Sequence, residues 1–388
     1  MELIFGIIAG VLALTVLVVL HELGHAIVAR RNGVVVEEFG IGFPPRAWGK
    51  KLKKQTIIGK NVLLSVNWLP LGGFVKLQGE HDSANKKGDY GAASFWVKTK
   101  ILLAGVIVNW VTAVVLLTVL ACIGMPKILP NQFTVANDTI TVQSPVTLAA
   151  VVDGSPAAQA GLKKGDVIVR FDQQAVASPD VLSRETQQKR GQTIAITYTR
   201  DGTEYQTHVT LRTDASKGQG YLGVSTSQQQ TLRSTWSAPI VGLVLTGQLT
   251  AATFEGLGNL VSNVASGVVS QLSGDEKTRQ AGSQELQQAG DSVAGPIGIL
   301  GVLFPAASQA GPVAFLFITA LISLTLAVMN ILPIPALDGG RWFTMAVFRI
   351  LKKPLTKERE ESIQATGFLV LMLLIIVVTV VDVSKLIK

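Results

Sequence analysis

LVVLHELGHAIVAR, residues 17–30, closes an apolar run that starts near the N-terminus, and its reading decides how the rest of the chain is understood. About 20 apolar residues suffice to cross a hydrocarbon core as a helix, and the run over residues 3–29 is long enough. Ionisable side chains are costly at that depth and mark function or pairing. His21 and His25 stand four apart, hence on one helical face, with Glu22 beside them. This is the H-E-x-x-H spacing, in which two imidazoles hold one zinc ion and the acid acts as general base toward the attacking water. Two satisfied buried histidines are the plainer alternative, and in lipid even these need a polar partner.

The composition outward from this stretch is that of a membrane protein. Of 388 residues, 48% are hydrophobic and 15% charged, and the mean hydropathy is +0.41. The net charge of +8 sits in loops that flank apolar segments, which favours membrane topology and argues against nucleic acid as a partner. The single cysteine, Cys122, excludes an intrachain disulfide and a cysteine-cluster metal site. Within an apolar segment it is expected to be a small buried hydrophobe. Four segments are long enough to span: residues 3–29, 101–125, 312–332 and 366–381. The first lacks the basic start and small-residue cleavage site of a signal peptide, so it is read as retained. Lysine and arginine crowd residues 30–100 and 341–359, and the longer stretch 126–311 is poorer in them per residue. By the positive-inside rule the two short loops face the cytoplasm, while both termini and the long central region lie outside.

This topology brings the cytoplasmic end of span one to the depth of NILPIPALDGGR, residues 330–341, at the end of span three. A catalytic zinc site takes three protein ligands and keeps one position open. His81 lies in a charged loop and His208 in the external region. Asp338, the only carboxylate between Pro296 and Glu358, is at the right level. A helix cap or an Asp-Gly turn is its alternative reading; beside HELGH, ligation is preferred. Gly339 and Gly340 would let the backbone bend around the ion.

HELGH in a first span with NILPIPALDGG in a later one resembles the site-2 protease family of intramembrane zinc metalloproteases, in particular its bacterial branch containing the regulator of sigma-E protease. The similarity runs over nearly the whole chain. It implies His21, His25 and Asp338 as Zn2+ ligands and Glu22 as catalytic acid/base. Asn330, Pro333, Pro335, Leu337, Asp338 and Gly339 match the family's Asn-x-x-Pro-x-Pro-x-Leu-Asp-Gly pattern, and LLAGVIVNW matches its Gly-x-x-x-Asn motif at Gly105 and Asn109. Substrates implied by the resemblance are membrane-spanning proteins or peptides, such as anti-sigma factors and remnant signal peptides, cut in regulated intramembrane proteolysis at the bacterial plasma membrane.

A membrane helix hides its carbonyls in its own hydrogen bonds, so cutting it requires local unwinding. Residues 34–51 and 61–79 read as β-hairpins close to the membrane. An exposed edge there could receive an unwound substrate as an added strand, and Gly40-Ile41-Gly42 is similar to the family's membrane-associated β-loop. Asn330 could hold such a strand open, Pro333 and Pro335 break span three beside it, and Gly105 and Asn109 join the expected substrate contacts. For Asn330 and Asn109 an interhelical hydrogen bond is the alternative.

Residues 148–170, LAAVVDGSPAAQAGLKKGDVIVR, are similar to PDZ domains of bacterial proteases. Ser155 caps a short helix with Pro156 at its first position, Gly161 and Gly165 suit turns, and Asp201-Gly202 joins two further strands. Such a domain binds chain ends by strand addition, with Tyr221-Leu222-Gly223-Val224 as a candidate loop, or serves as a size filter. Residues 236–272 suggest an amphipathic helix on the outer membrane face, a fifth span being the competing view.

The expected architecture is a polytopic α-helical membrane protein with four transmembrane helices, a membrane-associated β-hairpin region and one extracytoplasmic PDZ domain of β-rich α+β type. Its segments are 1–30 (span one, HELGH), 31–100 (cytoplasmic β-loop region), 101–125 (span two), 126–225 (PDZ domain), 226–310 (external helix and loop), 311–340 (span three, NILPIPALDGG), 341–365 (cytoplasmic loop) and 366–388 (span four and C-terminus). A PDZ-bearing scaffold with a structural metal and an ion-coupled transporter are the rival functions. The first would be favoured by loss of Glu22 or a ligand, all of which are present; the second predicts inverted repeats, and none is evident.

Overall fold

The computed structural model describes residues 2–214 and 220–387, which divide into two compact units, 1–123 with 237–388 and 124–236. The first unit opens with α1 (Glu2–Arg31), β1 (Val36–Leu52), β2 (Val62–Leu77) and α2 (Phe95–Ile123). α1 and α2 are apolar on nearly every face, as helices surrounded by lipid and protein must be. They approach closely at Gly24, where a Cβ would lie 2.9 Å from the Ala104 carbonyl oxygen. Small residues bring backbones together in this way when no water drives helices into contact.

β1 and β2 are each bent at mid-length. Residues 38–41 of β1 therefore have β2 partners on both sides: Gly40 opposes Phe74 and Ser65, and Ile41 opposes Gly73 and Val66. The sheet packs against α1 over Val36, Phe39, Val62 and Leu77, and Tyr90 from the loop after β2 joins the same cluster.

The second unit holds β3 (Met125–Pro126), β4 (Ile140–Gln143), β5 (Val146–Val151), α3 (Pro156–Gln159), β6 (Val167–Phe171), β7 (Gln174–Ala175), α4 (Pro179–Gln188), β8 (Thr193–Arg200), β9 (Thr203–Thr210), β10 (Val224–Ser227) and β11 (Gln230–Arg233). The main sheet has the order β10-β5-β6-β8-β9, with β7 on β6; β3, β11 and β4 form a second, smaller sheet. Leu148, Ile168, Phe171 and Ile196 fill the core. The expected turn chemistry is present: Ser155 Oγ accepts from Ala158 N at 3.2 Å, and Asp201 and Gly202 both have positive φ between β8 and β9. The unit extends past residue 225 because β11 pairs with β3 and β4.

The first unit resumes with α5 (Ala238–Gln271), α6 (Glu276–Asp291), α7 (Pro296–Gly298), a π turn (Ile299–Leu303), α8 (Phe304–Gln309), α9 (Pro312–Ile331), α10 (Asp338–Ile350) and α11 (Lys357–Ile387). Among the described residues, five helices are long and apolar enough to cross a membrane: α1, α2, α5, α9 and α11; the bent pair 276–291 and 296–309 would make six. Four were expected. The addition is α5, whose hydroxyls suggested a surface helix. They are instead spent on its own backbone: Thr246, Thr250 and Thr253 each donate to the carbonyl four residues earlier, which removes most of their cost in an apolar setting. α5 lies along α2, with Trp110 Nε1 donating to Thr250 Oγ1 at 3.1 Å.

α8 abuts the start of α1, where Gly6 faces Pro305 and Gly10 faces Phe304. α9 follows, and its last turns line the same cleft as His21 through Leu326 and Asn330. Cys122, expected to be buried, is exposed on α2; in an apolar helix a small thiol can face lipid as readily as protein.

Candidate metal centre

His21 and His25 share one face of α1 at 7% and 6% exposure. Their Nε2 atoms are 3.1 Å apart. The Asp338 Oδ2 atom, at the first residue of α10, lies 3.0 Å from His21 Nε2 and 3.3 Å from His25 Nε2. Three donors at these spacings match the edges of a tetrahedron, about 3.3 Å for an ion roughly 2.0–2.1 Å from each. Among the described residues this is the one cluster of three that could hold a metal ion.

The outer contacts test whether the donors suit a cation. A neutral imidazole that ligates through Nε2 must carry its proton on Nδ1, usually fixed by an acceptor. His25 Nδ1 is 2.7 Å from the Ile101 carbonyl oxygen, which supplies that acceptor. His21 Nδ1 lies 3.3 Å from Asn109 Nδ2, while the Asn109 oxygen is buried without a partner. With the Asn109 amide turned by half a turn, its oxygen would accept from His21 Nδ1–H. Both imidazoles thereby present bare Nε2 atoms toward Asp338, so the residues fit zinc.

Room for the rings comes from α2. A Cβ on Gly105 would sit 2.5 Å from His25 Nε2 and 2.6 Å from His21 Nε2. Gly105, expected to touch substrate, instead backs the imidazoles. Asn109 lines the cleft but is committed to His21, and its own carbonyl accepts from Ser323 Oγ at 2.8 Å.

The break between α9 and α10 delivers Asp338. Pro333 and Pro335 end α9, as missing N–H groups and fixed φ require. Ala336 sits at φ +77°, a left-handed conformation costing an L-residue about 1–2 kcal/mol. Gly339 and Gly340 lie directly against the carbonyls of residues 331–334, where any side chain would collide.

Glu22 turns to the sheet, its Oε2 accepting from Val75 N at 3.0 Å. A cleft of about 350 Å³ runs along this side, lined by Glu22, His21, Asp338, Asn330, Phe43, Gly72 and Gly73 among others. Asn330 thus reaches the cleft as expected. Gly40, Ile41 and Gly42 do not: Gly40 and Ile41 are paired on both edges, and Gly42 turns over the Leu69 carbonyl. A strand with both edges filled cannot accept a third, so Gly40 and Ile41 do not offer the free edge that was expected; the segment that borders the cleft is Gly72-Gly73 of β2. The signal was legible in LPLGG, since paired glycines inside a strand mark a close backbone approach. A second, polar cavity of about 290 Å³ meets Asp338 from the other side, between Glu80, Arg341, Glu360 and Gln364.

Comparison with known proteins adds an independent line. The profile described as "Peptidase family M50" matches residues 9–374. A provisionally named zinc metalloprotease of Clostridium acetobutylicum is 30% identical over 379 residues, covering 98% of this chain and 97% of its own. Zinc metalloprotease Rip1 of Mycobacterium tuberculosis is 28% identical over 381 residues, covering 92% and 89%. Among solved structures, the PDZ domain of an SdrC-like protein from Listeria monocytogenes aligns with 24% of this chain and 93% of that one, at 26% identity and a TM-score of 0.20.

Proposed function

The chain belongs to peptidase family M50 and is a zinc metalloprotease, and from that premise we propose that it hydrolyses peptide bonds within or near the transmembrane segments of membrane-anchored proteins. The observation that carries this reading is the meeting of His21, His25 and Asp338 in one cluster, with Glu22 on the same helix facing the cleft. His21, His25 and Asp338 would hold Zn2+. The bound ion would supply Lewis acidity toward the scissile carbonyl and toward water. Glu22 takes the proton of the attacking water and returns it to the departing amine. The Val75 amide fixes the Glu22 carboxylate between these two duties.

A substrate helix must lose its own hydrogen bonds before cleavage. The β2 segment at Gly72-Gly73 offers backbone groups to an unwound strand, and Asn330 faces it across the cleft. Anti-sigma factors and remnant signal peptides are the substrate classes implied by the family resemblance.

We infer a bacterial plasma membrane location, with the β1–β2 region on the cytoplasmic side and the 124–236 unit, read as a PDZ domain, outside. α5 and α6 form a hairpin, Gly267 lying against Leu286. The chain therefore returns to the same side before α9, whether this hairpin crosses the bilayer or rests on it, and the sidedness of α9 is preserved.

The test is purified protein with a model transmembrane peptide. Glu22→Gln should retain zinc and lose cleavage; an active variant would end the proposal. Asp338→Asn should lose zinc along with activity, and full metal content would remove Asp338 from the ligand set.

A further inference from the structure

Four backbone N–H groups lie in the break between α9 and α10, because Pro333 and Pro335 have none. Leu332 N donates to Met329 O in the last turn of α9, Ile334 N to Leu332 O and Leu337 N to Ile334 O, so these three stay with neighbours in sequence. Ala336 N alone reaches an element distant in sequence, donating to Gln364 Oε1 of α11 at 2.6 Å. It belongs to the residue with left-handed φ, two positions before Asp338. A conformation of this kind persists only where its surroundings over-determine it.

α11 supplies that determination twice. Gln364 and Gly367, three apart, lie on one helical face. At Gly367 the helix backbone presses onto Pro335, leaving no room for a side chain. Gly340 of α10 crowds the Ile334 carbonyl from the opposite direction. The bend is therefore gripped between two helices, and its hydrogen bond to Gln364 sets how far Ala336 is drawn toward α11. Water could satisfy the Ala336 amide but could not anchor it.

We propose that Gln364 is a positioning residue for the metal centre: by accepting from Ala336 N it holds the 332–337 bend in the one conformation that aims the Asp338 carboxylate at His21 and His25. This deepens the reading of Asp338 as a ligand and rests on it. Only an acceptor is required at the end of residue 364, so glutamate can serve and methionine, of similar length, cannot.

The test compares Gln364→Met, Gln364→Glu and the parent, as full chains in detergent, for thermal melting, zinc affinity by competition with a chromophoric chelator, and kcat and KM on one transmembrane peptide. Gln364→Met is expected to weaken zinc binding and lower kcat by about 10- to 100-fold, the usual effect of losing an outer-shell partner. Its KM should stay close to that of the parent and its melting temperature nearly unchanged. Gln364→Glu should recover most of both losses. Parental zinc affinity and kcat in Gln364→Met would overturn the proposal, as would equal losses in the two variants or a loss confined to melting temperature. Glu22→Gln, run alongside, separates the levels: if it cleaves, the metal-centre reading itself has failed; if it is inert while Gln364→Met is normal, only the positioning role has failed.

Discussion

Gly105 shows how much of this site depends on an absent atom. Its lone hydrogen leaves the space into which both imidazoles turn. Gly105→Ala should fold, because an apolar helix accepts alanine readily, yet it should purify with sub-stoichiometric zinc and correspondingly reduced cleavage. Metal analysis of the variant checks this, and a full complement of zinc would show that the rings can retreat. HELGH and Asp338 were legible in the sequence because metal ligation demands particular residue types at particular spacings. The roles of Gly105 and Asn109 were not. A sequence states which residues share a helix but not the rotation of α2 against α1, and that rotation alone turns both residues toward histidines. The Ile101 carbonyl behind His25 left no trace at all, since any residue supplies a backbone oxygen.

At the scale of elements, α11 is the least enclosed of the apolar helices, yet it is tied at each end by polar contacts. At its start Glu360 pairs with Arg341 at 3.3 Å and accepts from Asp82 N at 2.8 Å. Toward its far end the buried Asp382 accepts from Gly298 N at 2.7 Å and Gly295 N at 3.3 Å. That contact gives a physical role to the Gly-Pro-Ile-Gly stretch at 295–298. Pro296 starts a helical turn, and the two glycines admit the carboxylate, against which a Cβ at Gly295 would come within 2.7 Å. Asp382→Ala leaves two amides unpaired and should cost about 1–3 kcal/mol, read as a lower melting temperature in detergent. No change would mean that water replaces the carboxylate. The stretch was visible in the sequence but its partner, more than eighty residues on, was not. α5 is harder to read for a related reason: its threonines look polar in the sequence, although each satisfies itself within the helix.

Across the whole molecule, the 124–236 unit carries its own acid-sensitive fastening. Asp166 is buried and receives both Arg200 Nε and Nη2 at 2.7 Å, along with Lys163 N. Burial alone would raise this carboxyl, but the guanidinium and the amide outweigh it and hold the group below its usual range. A carboxyl depressed in the folded state stabilises it fully above the unfolded value, about 4, and loses that contribution as pH falls through the folded one. Protection of residues 146–171 and 193–210 in hydrogen exchange, corrected for intrinsic amide rates, should therefore hold from pH 7 to 5 and decline below about 4. Asp166→Asn should be weaker at neutral pH and lack the decline. The β-strands and turns of this unit were readable from alternation and from Gly, Pro and Asp-Gly punctuation. Its extension to β11 was not, because four residues acquire strand identity only from the partners they meet. A last consequence follows from the 317 residues that separate His21 from Asp338. During synthesis the imidazoles enter the bilayer long before their carboxylate leaves the ribosome, and α11 follows later still. On the proposed ligand set, a nascent chain that stops short of Asp338 thus lacks the means to cut its neighbours.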